Sequence, residues 1–157
     1  MKNILIIYHS EGGIVEKMAS SIKRGIENLQ KDLQVELKYA QDANWDDLKA
    51  AAGIAIGTPD YFDYMAGTVK DFFDRTYFPS QSKIKGSLVA GLPCVFFASG
   101  GTGGEPALES LEKIGKYFKF NIVDNITSGP ELTPEIAKKC EKAGGKLGEA
   151  VLAGRNI

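Results

Sequence analysis

The chain has 157 residues, enough for one domain that buries about two-thirds of its unfolded surface without disulfide or metal staples. With 43% hydrophobic and 25% charged residues and a net charge of −1, it carries no electrostatic footprint for nucleic acid or an anionic membrane. One His and two Cys exclude a His/Cys metal cluster, and Cys94 and Cys140 read as small buried apolar residues rather than a redox pair.

In chain order, the run Ile4-Leu5-Ile6-Ile7 is too short to span a membrane and no cleavage site follows it. It reads as a first strand over 3–8, in a cytoplasmic protein that forms a single domain over 1–157. Ile14, Met18, Ile22, Ile26 and Leu29 then form a helical stripe. Residues 35–39 alternate as a second strand, and a short helix is expected over 46–52. A third strand over 53–58 ends at Pro59, and a helix over 65–77 aligns Ala66, Val69, Phe73 and Tyr77. The polar stretch 80–91 reads as an irregular connection. A fourth strand spans 93–98, a helix 106–118, and a fifth strand 119–123. Thr133 as N-cap and Pro134 at the first helical position open the last helix, whose core side is Ile136, Cys140, Ala143, Leu147 and Val151.

Strands alternating with helices through the chain predict an α/β fold, a three-layer, doubly wound, five-stranded parallel sheet. Strands one, three and four are nearly continuous apolar runs, as central strands buried on both faces should be. Strands two and five carry polar residues, Glu36 and Lys38 in one, Lys119 and Asn121 in the other, and belong at the edges. The order 2-1-3-4-5 satisfies both observations, whereas 3-2-1-4-5 would bury the polar alternation of the second strand. In the preferred order a crevice opens between strands one and three, beyond their carboxyl ends.

Three loops at that end carry unusual residues. Ser10, Glu11, Gly12 and Gly13 lead into Ile14 and Val15, where free backbone N–H groups, a hydroxyl and a helix N-terminus suit an anion; an ordinary Gly-rich cap has the same composition. Thr58, Pro59, Asp60, Tyr61 and Phe62 follow the third strand, and their aromatics can form a platform for a flat ring or pack beneath their own loop. Ser99, Gly100, Gly101, Thr102, Gly103 and Gly104 follow the fourth strand. So many glycines are costly in conformational entropy unless backbone must approach a ligand, although a merely flexible loop is the plain alternative. No G-x-G-x-x-G follows the first strand and no Gly-Lys-Ser/Thr occurs, so neither a dinucleotide fingerprint nor a P-loop is present.

The run Gly57-Thr58-Pro59, then Phe62, Met65-Ala66-Gly67, Lys70 and Phe72-Phe73-Asp74, resembles the FMN-binding flavodoxin-like quinone oxidoreductases, the family once described as tryptophan-repressor-binding proteins. Tyr8-His9-Ser10 resembles their phosphate-loop entry, and 99–105 their third flavin loop. The resemblance implies a flavodoxin-like fold and an FMN cofactor, with Ser10, Gly12, Gly13, Ile14 and Val15 around the ribityl phosphate. It places 59–62 along one side of the isoalloxazine and 99–104 on the other. It further implies NAD(P)H as reductant, a quinone or similar acceptor, and the possibility of an oligomer. The flavin would do the redox chemistry, so no side chain is needed as acid, base or nucleophile.

The chain departs from related patterns in two places. Electron-carrier flavodoxins have hydroxyl residues where Gly12 and Val15 stand, and Glu11 adds a negative charge beside the loop. The segment between Phe78 and Leu92 is also shorter than in the usual quinone oxidoreductases. Two alternatives to the enzyme therefore stand: a flavodoxin-type one-electron carrier with a redox partner protein, and a flavodoxin-like binding module that has lost FMN. Carriers are usually strongly acidic, which this near-neutral chain is not. His9 reads as a hydrogen-bonded structural residue, Trp45 as packing at a helix start, and Asp42, Asp46 and Asp47 as a solvated helix start rather than a metal site. A phospho-acceptor receiver needs acidic residues after the first strand, where Tyr8-His9-Ser10 stands.

Overall fold

The computed structural model describes residues 1–155; the last two positions of the domain expected over 1–157 lie outside the described residues. The chain runs β1 Lys2–Tyr8, α1 Ile14–Glu27, β2 Leu33–Tyr39, a 3-10 turn at Ala40–Asp42, α2 Trp45–Ala50, β3 Gly53–Pro59 and α3 Gly67–Ser80. A small ribbon, β4 Gln81–Ser82 and β5 Gly86–Ser87, precedes β6 Pro93–Ser99, α4 Glu105–Phe118, β7 Asn121–Ser128 and α5 Pro134–Ala153.

The main sheet has the order β2-β1-β3-β6-β7 with every neighbouring pair parallel. Counting only its own strands, this is the expected 2-1-3-4-5 order, with the polar strands β2 and β7 at the edges. The central strands read as unbroken apolar runs because alternate residues serve two different cores. Leu5, Ile7, Ile54, Ile56 and Phe96 face α2, α3 and α4, where Leu48, Phe72, Phe73, Leu111 and Phe118 meet them. Ile4, Ile6, Ala55, Val95 and Phe97 face α1 and α5, where they pack on Met18, Ile22, Cys140 and Leu147. Each such fully buried aliphatic or aromatic side chain stabilises the fold by about 1.5–3 kcal/mol. The two helices of the second layer touch backbone to backbone. A Cβ at Gly25 would run into the Glu141 carbonyl, and one at Gly144 into that of Ile22.

Side-chain caps fix the starts of two helices. Asn44 and Asp47 form a reciprocal capping box on α2, and Trp45, its first residue, packs against the core. Thr133 caps α5 as expected, its hydroxyl oxygen accepting from Ile136 N at 3.2 Å. Both cysteines are free and buried. Three expectations need correction. The fifth strand is β7 at Asn121–Ser128 rather than 119–123, because Lys119 adopts a left-handed C-cap (φ 61°) that closes α4. The third helix begins at Gly67 rather than 65, because Ala66 is its extended N-cap, and it runs on to Ser80 with Pro79 in its last turn. The stretch 80–91 is not wholly irregular, since β4 and β5 pair antiparallel within it. Among the described residues, no helix is long and apolar enough to cross a membrane.

Candidate functional site

Strand pairing brings the three loops together. Tyr8 stands beside Gly57, and Pro59 beside Ser99, in adjacent parallel strands. Two further hydrogen bonds extend the ladder past the strand ends, from His9 N to the Gly57 carbonyl (3.2 Å) and from Asp60 N to the Ser99 carbonyl (2.7 Å). The loops after β1, β3 and β6 therefore leave the sheet side by side, at the point where the order reverses between β1 and β3. Between them lies a cleft of about 220 Å³, lined by Ser10, Glu11, Gly12, Ile14, Val15, Pro59, Asp60, Ser99, Gly100, Gly101 and Pro130.

The wall contributed by the first loop is built for an anion. Gly13 caps α1 in a left-handed conformation (φ 88°) that a β-carbon would strain, with no side-chain cap on the helix. Its N–H is turned inward and donates to Ser10 Oγ at 3.1 Å. The first-turn amides of Ile14, Val15 and Glu16 have no intrahelical acceptor, as at any helix start. Nothing stands within 4 Å of where a Cβ of Gly12 would lie, and Gly12 lines the cleft. These donors, with the positive end of the α1 dipole, form a nest suited to a phosphate. The residues present thus fit the phosphate of a flavin mononucleotide.

The second loop is braced rather than free. Thr58 is fully buried, and its hydroxyl oxygen accepts from Ala66 N at 2.8 Å. The Asp60 carboxylate accepts from Asp63 N (2.9 Å) within its own loop and from Ala107 N (3.3 Å) in the first turn of α4. Tyr61 is half-buried and its hydroxyl donates to Glu11 Oε2 at 3.2 Å; burial, then Glu11, raises its phenol above the ordinary range. Phe62 is fully exposed at the loop tip, and it and Asp63 both have left-handed backbone (φ 59° and 61°). Such conformations are costly for residues with side chains and concentrate at functional loops.

The third loop follows from close packing. A Cβ at Gly100 would meet the Asp60 side chain at 2.8 Å, and Gly104 starts α4 in a left-handed conformation (φ 83°) against the Ala98 and Ser99 backbone. Ser99 is buried and its hydroxyl donates to the Gly129 carbonyl at 3.3 Å. Gly101 faces open space, and Thr102 is exposed at the turn before Gly103.

Of the residues singled out in the sequence, Ser10, Glu11, Gly12, Ile14, Val15, Pro59, Asp60, Ser99, Gly100 and Gly101 line one cleft. Gly13, Thr58, Tyr61, Phe62, Thr102, Gly103 and Gly104 belong to the same three loops and do not line it. Pro130, just past β7, completes the lining. No sequence signal pointed to it, because its role comes from the fifth strand ending beside the fourth.

His9 shares a hydrogen bond between Nδ1 and Thr68 Oγ1 (2.9 Å) and meets the Tyr61 ring edge-on at 5.7 Å. Tyr8, behind it, donates to Glu16 Oε1, and burial and that carboxylate push its phenol up to about 12. A larger cavity of about 420 Å³ lies elsewhere, between α3 and α4, walled by Phe73, Asp74, Tyr77, Phe78, Ile114, Tyr117 and Phe118. Its lining is mostly aromatic, its one charge is an aspartate, and it comes from helix interiors whose amides are already paired, so the smaller cleft is the better candidate for an anionic cofactor. No group of three or more potential metal ligands occurs among the described residues.

A family model described as flavodoxin matches residues 6–154. A flavodoxin of Aquifex aeolicus is 27% identical over 168 aligned positions, covering 96% of this chain and 88% of that protein. An NAD(P)H dehydrogenase (quinone) of Acidithiobacillus ferrooxidans is 32% identical over 96 positions, and this match spans 48% of either chain, so about half of that relative lies outside it. In three dimensions, a flavodoxin from the domain Archaea superposes with a TM-score of 0.80 over 96% of this chain and 99% of that one; at 22% identity this is a likeness of fold.

Proposed function

The chain belongs to the flavodoxin family, and from that premise we propose that it is an FMN-binding oxidoreductase that accepts electrons from NAD(P)H and delivers them to a quinone or similar acceptor. Bound FMN would supply the redox chemistry. The single observation that carries the cofactor reading is that Ser10, Gly12, Ile14 and Val15, at the start of α1, line one cleft together with residues of the other two loops. In this reading Ser10 and the first-turn amides of α1 hold the phosphate. The backbone around Pro59, Asp60 and Tyr61 supports one side of the ring, and Gly100 and Gly101 the other, with Phe62 free to cover it. The hydrogen bond from Asp60 N to the Ser99 carbonyl ties these two walls together. The donor and acceptor rest on partial similarity to the quinone dehydrogenases. A cytoplasmic location accompanies this reading, and an oligomer is compatible with it.

One observation favours a second reading, a one-electron carrier serving a redox partner protein: the near full-length relationship to the Aquifex flavodoxin. Anaerobic addition of NADH or NADPH to the FMN-loaded protein separates the two. Rapid bleaching of the flavin, followed by reoxidation with a quinone, supports the oxidoreductase. A bound flavin that stays oxidised supports the carrier, and a protein that fails to bind added FMN would be the binding module.

A further inference from the structure

Glu11 is the one charged residue in the first loop, and it lines the cleft beside Gly12, Ile14 and Val15. A carboxylate there opposes any phosphate held at the start of α1, because like charges repel, and its exposure to water makes that repulsion moderate and salt-dependent. In the structure that carboxylate is drawn to the neighbouring loop. Its Oε2 accepts from the Tyr61 hydroxyl at 3.2 Å, and its Oε1 lies 3.7 Å from His9 Nε2, a buried nitrogen with no hydrogen-bond partner. His9 is itself fixed from the other side by Thr68 in the first turn of α3, and the Tyr61 ring packs edge-on against it. Two polar groups from separate segments therefore converge on one exposed carboxylate at the mouth of an anion nest.

We propose that Glu11 is a selectivity residue, whose charge weakens binding of phosphorylated flavin, and that Tyr61, with His9 behind it, is the positioning group that holds this charge on the second loop. The proposal rests on the flavin reading above. It predicts that the balance between FMN and riboflavin, which differ only in the phosphate, is set by whether the Glu11 charge is present and whether it is tethered.

The experiment is a titration of apoprotein with FMN and with riboflavin, followed by flavin fluorescence, for wild type, Glu11→Gln, Tyr61→Phe and the double variant. Glu11→Gln keeps an acceptor for Tyr61 and removes only the charge. It should tighten FMN by about tenfold and leave riboflavin within about twofold, with the gain shrinking at high salt. Tyr61→Phe should weaken FMN about threefold more than riboflavin, through the freed carboxylate. In the Glu11→Gln background that extra loss should vanish, since no charge remains to be tethered. An unchanged FMN-to-riboflavin ratio in Glu11→Gln overturns the selectivity role. A Tyr61→Phe effect on the ratio that is equal in both backgrounds overturns the tether. Wild type and Glu11→Gln that both bind neither flavin would overturn the cofactor reading, and the proposal with it.

Discussion

Replacing Thr58 by valine tests how the fold holds the second loop at the cleft. The Thr58 side chain is fully buried. Its hydroxyl donates to the Pro59 carbonyl at 2.7 Å, and its oxygen accepts from Ala66 N at 2.8 Å. Ala66 is the N-cap of α3, and its own carbonyl accepts from Val69 N and Lys70 N. Valine has nearly the same shape, so packing is preserved while the buried Ala66 amide loses its only side-chain acceptor. An orphaned buried amide costs about 1–3 kcal/mol, and the added methyl returns up to ~0.8 kcal/mol of that. The expected net loss is ~1–2 kcal/mol, read as a lower urea midpoint at unchanged m-value. For a chain of this length the thermal midpoint should fall by roughly 2–8 °C. FMN affinity should drop several-fold, because the loop that carries Pro59 to Phe62 is anchored at its far end by this bond. Thr58→Ser keeps the hydroxyl and should retain FMN affinity, even though its lost methyl costs about 1 kcal/mol. A Thr58→Val protein with stability within about 0.5 kcal/mol of wild type and unchanged FMN binding would refute the argument.

Other outcomes follow from the same geometry. Gly13→Asp puts a further negative charge at the start of α1, beside Glu11 and Glu16, and a side chain on left-handed backbone, so FMN should bind at least about tenfold more weakly in an equilibrium titration; an unchanged dissociation constant would remove the nest from the site. Phe62→Ala should leave stability within about 0.5 kcal/mol, because the side chain is fully exposed, yet it should shift the bound-flavin spectrum or loosen the flavin. No change in either would take Phe62 out of the ring pocket. Burial, with Asp124 and Glu141 nearby, pushes the Cys140 thiol from its ordinary 9 to about 12, so the fold favours the neutral form. That stability is complete well below pH 9 and is lost as pH rises toward 12, by roughly 1 kcal/mol between pH 8 and pH 10. Cys140→Ala should make the profile shallower over that interval, leaving the share due to the Cys94 thiol, which burial also raises, and an equally steep profile in the variant would assign the whole loss to other groups.

The fold was legible wherever burial imposes a period. Ile14, Met18, Ile22 and Ile26 mark one face of α1, and all but the partly buried Ile14 lie fully in the core. The polar alternation of Glu36 and Lys38 told edge from centre. The signal failed at β7, because an edge strand half-covered by a helix needs few apolar residues. Asp124, Asn125 and Thr127 read as loop, and only Ile126 and Ser128 are buried there. At the site, loop composition was enough to mark the three segments that converge. It could not show how each is held, because those bonds join residues far apart in sequence. Asp60 braces Ala107, Thr58 anchors Ala66, and Tyr61 meets Glu11 only once the strands have paired. Glu11 itself was visible as a misplaced charge, but the direction of its side chain depends on a tyrosine fifty residues away.

The central claim is that FMN sits in the cleft where the loops after β1, β3 and β6 converge. Amide chemical-shift changes in isotope-labelled protein during an FMN titration test it most directly. The largest shifts are predicted for Gly12 to Val15, for Asp60 to Phe62, and for Gly100 and Gly101, saturating at one flavin per chain. Amides that do not move on FMN addition, or shifts centred on Phe78 and Tyr117 in the apolar groove between α3 and α4, would contradict it.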